Sequence, residues 1–125
     1  MPAAISDSST LIHLAALGRL ILLREYYTEV LIPPAVWKEV VEEGRGRPGA
    51  REVEEAARVG WLKVVAATDE PLVRLLKREL QDGEAEALAL AVERQELDRL
   101  RQDAGFWITE DLYRQALEAV GEGME

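Results

Sequence analysis

The sequence predicts an α/β fold: a parallel sheet with crossover helices, three strands readable, in a three-layer α/β/α arrangement. Three observations carry this. Short strands alternate with stretches of helical spacing, the order expected of crossover connections. The strands are continuous apolar runs, as befits strands covered on both faces. No internal repeat or low-complexity segment interrupts the 125 residues, a length that suits one domain.

Ala3 to Asp7 reads as the first strand, and Ser8, Ser9 and Thr10 offer helix N-caps behind it. Leu11, Leu14, Ala15 and Leu17 then recur at helical spacing, with Gly18 as a stop. Leu20 to Tyr27 reads as a second short helix, and Glu29 to Ile32 as the second strand, ended by Pro33. Pro34 suits a first helical turn, and Val36, Val40 and Val41 form the apolar stripe that follows. Arg45 to Gly49 is a loop. Ala50, Val53 and Ala57 mark a helix that Gly60 stops, and Trp61 to Ala66 is the third strand. Leu72, Leu75, Leu76 and Leu80 mark another helix. Asp82 is the expected N-cap of a long helix that nothing breaks before Gly105, and Thr109 caps a last one.

Composition narrows the chemistry. With 48% hydrophobic and 31% charged residues the chain can bury a core. It has no cysteine, so disulfides, thiol catalysis and cysteine-held metals are excluded. His13 is the single histidine, which excludes a histidine-rich metal site. No apolar run approaches the roughly 18 residues needed to span a bilayer, and no basic leader opens the chain. A cytoplasmic protein without membrane contact is therefore expected. The net charge of −9 argues against a broad basic face for nucleic acid, but an acidic cleft that holds cations remains open.

Three acids stand out. Asp7 ends a strand and precedes a helix, at the sheet edge where open parallel sheets bind ligands; it is either a helix cap or a cation ligand. Glu39 lies beside the stripe of Val36 and Val40 and is either solvated or turned to a site. In Gly83-Glu84-Ala85-Glu86-Ala87 two acids two residues apart point about 200° apart, so Glu84 and Glu86 do not serve one site equally. Glu84 is nearer the positive helix end. His13 reads as a packed or surface residue, Trp37, Trp61 and Trp107 as core or interface anchors, and Arg45, Arg47 and Arg51 as a charged loop able to meet phosphates.

Taken together, Ile5-Ser6-Asp7-Ser8-Ser9, then Ile32-Pro33-Pro34-Ala35-Val36 with Glu39-Val40, then the Gly83 to Ala87 string, resemble the PIN-domain superfamily. The resemblance is to the relatives of VapC-like ribonuclease toxins that carry the G-E-A-E-A motif. It implies a PIN-like domain over 1–125 and metal-dependent cleavage of RNA, as in the toxin of a toxin–antitoxin pair. It places Asp7, Glu39 and Glu84 in the catalytic site as ligands of Mg²⁺ or Mn²⁺, with Glu86 the lesser candidate ligand and Ser8 supporting Asp7. It also implies an RNA substrate and a small antitoxin protein as partner.

One part of the family pattern is missing. A strand ending in a fourth acid should follow the Glu84 helix, yet the chain runs from Val92-Glu93 through Arg94-Gln95 to Glu96-Leu97-Asp98. An internal deletion near 93–96 is the reading, and it leaves the first strand at a sheet edge, which favours a homodimer. The alternative function is an inactive PIN-derived protein-binding module, or a structural α/β protein.

Overall fold

Val30, Leu31 and Ile32 are all buried and form the central strand β2 (Val30–Ile32). The computed structural model describes residues 3–94. On one side of β2 lies β1 (Ala4–Ile5), on the other β3 (Leu62–Val64), and both pairs are parallel. Ala4 pairs with Val30, and Val30 in turn with Leu62. Between the strands run the helices α1 (Ser8–Ala16), α2 (Ile21–Tyr26), α3 (Pro34–Trp37) and α4 (Ala50–Val59), and after β3 come α5 (Glu70–Leu76) and α6 (Asp82–Glu93).

Strand alternation sorts the core into two layers. Ile5 and Leu31 face α5 and α6, against Leu72, Leu76, Leu88 and Val92. Val30, Ile32 and Leu62 face the opposite way, against Leu11 of α1, Val36 of α3, and Val53 and Ala56 of α4. Burying each Val, Leu or Ile contributes about 1.5–3 kcal/mol. The sheet is thus covered on both faces around β2, the three-layer arrangement read from the apolar strands, while Lys63 and Val64 of β3 are exposed.

The strands are shorter than the apolar runs. Ser6 N–H still donates to Leu31 O at 3.1 Å, but Asp7 leaves the ladder to cap α1, and β1 ends at Ile5. Gly18 and Gly60 stop α1 and α4 as expected, both with positive φ. Asp82 is not the cap of α6: Gln81 takes the N-cap position and Asp82 the first helical one, where its charge still favours the positive helix end. In α4 the buried alanines are Ala50 and Ala56, with Ala57 only half-buried.

A π-helical stretch, Lys38–Glu42, continues α3 and was not anticipated. It closes with Glu43 N–H donating to Lys38 O at 2.8 Å. Gly44 makes the exit possible, because a Cβ there would collide with the Val40 carbonyl oxygen. Such π turns are frequent at functional sites, and this one carries Glu39.

Among the described residues β1 has β2 on one side and no strand on the other. No described helix is long and apolar enough to cross a membrane. The residues from 95 on, with the Gly105 to Ile108 string, Trp107 and the Thr109-capped helix, lie outside the described residues, as does the second half of the 93–96 junction.

Candidate metal centre

Asp7 sits two residues beyond β1, at the carboxyl edge of the sheet, and is only 8% exposed. One of its oxygens, Oδ1, accepts from Thr10 N–H at 3.0 Å, so the helix-cap reading is realised. Capping and service at a site are compatible, because that bond uses one carboxylate oxygen.

Ser8, the first residue of α1, does not support Asp7 as expected. Its Oγ donates to Oε2 of Glu39 at 2.6 Å. The hydroxyl leaves the first turn of α1 sideways toward the π-helical stretch, whose residues pack beside α1. Glu39 is otherwise exposed, and this bond fixes which way its carboxylate points.

Glu84 enters from a third direction, as the third residue of α6. Burial raises its carboxyl pKa above the ordinary value, and repulsion from Asp7 and then Glu39 raises it further. Acids far apart in the chain therefore bear on one another electrostatically. Gly83 lies beside the Ser8–Glu39 pair: a Cβ there would sit in ordinary contact, 3.5 Å from both Glu39 Oε2 and Ser8 Oγ.

The donor set fits a hard divalent cation, since all the groups are oxygen ligands of the kind Mg²⁺ and Mn²⁺ take. Among the described residues no three acidic or histidine side chains are drawn closely enough together to enclose an ion.

Glu86 points elsewhere. Its Oε1 accepts from Ala35 N–H at 3.1 Å, and its Oε2 lies 3.6 Å from Lys77 Nζ. His13 is exposed in the last turn of α1. Trp37 and Trp61 pack half-buried against the core. Arg45, Arg47 and Arg51 line an open groove of about 670 Å³, which Glu52 and Glu54 share, so acids largely offset the bases there.

The profile of the PIN domain matches residues 3–96. The chain belongs to the PIN-domain family. The PIN fold is of the nuclease type, and PIN domains generally use divalent metal ions. The match ends at residue 96, at the junction where the sequence departs from the expected pattern. No curated protein matches the chain.

Sequence reasoning missed two contacts of this PIN domain. The Ser8–Glu39 bond spans 31 positions and has no local signature. The Ala35–Glu86 bond had a signal: Pro33 at the N-cap has no side-chain acceptor, so the first free N–H of α3 must find a partner outside its own helix.

Proposed function

We propose that this PIN domain is a metal-dependent endoribonuclease, with Asp7, Glu39 and Glu84 as its catalytic and metal-holding acids and Mg²⁺ or Mn²⁺ as its cofactor. One observation carries the reading: burial, with repulsion from Asp7 and then Glu39, raises the Glu84 carboxyl pKa, so three acids from separate segments bear on one another, and Asp7 lies just beyond the carboxyl end of β1. Carboxylates that repel one another in this way form a site that a cation relieves. When bound, the metal supplies a water of lowered pKa and neutralises charge on the phosphodiester. Asp7 offers a buried, pre-oriented carboxylate because α1 fixes it, and Glu39 is aimed by Ser8. Glu84 is partly buried with a raised pKa, and a bound cation would favour its deprotonated form.

The substrate class proposed is RNA, and a toxin role would give the protein a small antitoxin as partner. We also propose that the domain runs through 1–125 with a true internal deletion near 93–96, and that a second copy of the chain pairs across β1 as a homodimer, in the cytoplasm. A second reading is supported by the end of the family match at residue 96. If the fourth acid is gone, the chain is an inactive PIN-derived binding module.

Cleavage of single-stranded RNA under Mn²⁺ titration, for wild type and Asp7→Asn, separates the two. Metal-dependent cleavage lost in Asp7→Asn supports the nuclease. Mn²⁺ binding without cleavage, or no binding, favours the binding module.

A further inference from the structure

The Gly83 to Ala87 string carries two acids, and the metal reading uses only Glu84. The role of Glu86 follows from the helix it touches. α3 begins at Pro34, which has no N–H, behind Pro33, which has no side-chain acceptor. The Val36 and Trp37 N–H groups both donate to Pro33 O, at 3.0 and 3.2 Å. The Ala35 N–H is left over, and Glu86 Oε1 accepts it from across the interface at 3.1 Å. The cap that most helices carry in their own sequence is supplied here by another helix.

α3 runs straight into the π-helical stretch that bears Glu39, while α6 bears both Glu84 and Glu86. Glu86 also lines a cleft of about 370 Å³ with Pro34, Arg74 and Lys77, which none of Asp7, Glu39 and Glu84 enters. We infer that Glu86 is a positioning residue rather than a metal ligand: it ties the start of the Glu39 helix to the Glu84 helix and so sets the distance between two of the three site acids. The inference rests on the metal-site reading for its consequence, and on the hydrogen bond alone for its geometry.

The test compares Glu86→Ala with Glu86→Gln. Glutamine keeps an oxygen for Ala35 N–H but removes the charge a ligand needs; alanine removes both and suits a helix. Two readouts are taken on metal-free protein by NMR: hydrogen exchange of the Ala35 amide and the ¹³C shift of the Glu39 carboxyl carbon. A third is Mn²⁺ affinity. In Glu86→Ala the Ala35 amide should lose protection, the Glu39 carboxyl resonance should move, and Mn²⁺ should bind about tenfold more weakly, the scale of outer-shell losses at metal sites. Glu86→Gln should resemble wild type in all three. Because Glu86 acts through Glu39, the double variant Glu39→Gln/Glu86→Ala should bind Mn²⁺ no more weakly than Glu39→Gln alone. If Glu86→Gln weakens Mn²⁺ as much as Glu86→Ala, Glu86 is a ligand and the inference is overturned. It is equally overturned if Glu86→Ala exposes the Ala35 amide but leaves the Glu39 carboxyl resonance where it was. If wild type binds no Mn²⁺, the metal reading fails on its own, and the two NMR readouts still decide for or against the positioning role.

Discussion

Ser8 Oγ donates to Glu39 Oε2 at 2.6 Å, and the bond joins the first turn of α1 to the π-helical stretch after α3. A hydroxyl given to an ionised carboxylate is a strong contact, and a short one. It orients a glutamate that would otherwise sweep through solvent.

Ser8→Ala should therefore act on two scales. Net hydrogen bonds to charged groups contribute about 1.5–3 kcal/mol, and this one is only partly buried, so a loss of about 1 kcal/mol in chemical denaturation is expected. Mn²⁺ affinity should fall as well, because Glu39 loses its preferred direction. Unchanged Mn²⁺ affinity would mean that Glu39 needs no such guide.

Asp7 serves as a cap and, in the proposed function, as a ligand, and substitution can divide the two. Asparagine caps as well as aspartate, so Asp7→Asn should change stability by less than about 0.5 kcal/mol, while Asp7→Ala should cost about 1 kcal/mol. Both variants should lose metal-dependent cleavage. Denaturation curves set beside the cleavage assay test this. Full cleavage by Asp7→Asn would remove Asp7 from the site.

The raised pKa of Glu84 sets a pH dependence. Its folded-state pKa lies above the unfolded one, so between the two values the folded protein binds more protons. Its contribution to stability is thus greatest below the unfolded pKa and is lost as pH rises through the folded pKa. In metal-free protein, Glu84→Gln should flatten that fall and raise the melting temperature at neutral pH. Saturating Mn²⁺ should do the same to wild type, since a cation relieves the same repulsion. Melting scans against pH, with chelator and with Mn²⁺, check both; a Glu84→Gln protein less stable than wild type at neutral pH without metal would contradict it.

Gly44 tests the π-helical stretch. A methyl there would meet the Val40 carbonyl oxygen, and backbone has nowhere to yield. Gly44→Ala should cost about 2 kcal/mol or more, toward the upper end of single substitutions. Circular dichroism with urea titration measures it. A neutral result would mean that the turn after Glu42 relaxes freely.

The homodimer proposed across β1 is tested by light scattering at several concentrations. A dimer that persists on dilution is expected, because among the described residues no strand lies on the outward side of β1, and a second chain would pair there. A monomer throughout would withdraw the second copy.

Where the decisive interactions are local, the sequence determined the result. Pro33 and Pro34 mark the end of β2 and the start of α3 through their fixed φ and missing N–H. Gly18 and Gly60 mark helix ends because the chain turns there with positive φ. The apolar runs at Ile5 and at Val30 to Ile32 announce strands with a layer on each face, though β3 buries only Leu62, and the order of the elements implies parallel pairing. Asp7, Glu39 and Glu84 were each open to a cap or solvated reading, and it was the order of the three motifs, which resembles the PIN-domain superfamily, that marked them as candidates.

What those acids do to one another was decided in three dimensions. Ser8 is one residue from Asp7, yet it bonds Glu39, 31 positions away, because the N-terminus of α1 packs beside the π-helical stretch. Glu86 bonds Ala35 across 51 positions for the same kind of reason. The π-helical stretch has no periodicity that separates it from an α-helix in so few residues; it exists because Gly44 lets the chain pass the Val40 carbonyl. Periodicity, caps and turn residues act within a few positions and can be read along the chain. The direction of a charged side chain depends on which helix the folded sheet places opposite it, and only packing supplies that.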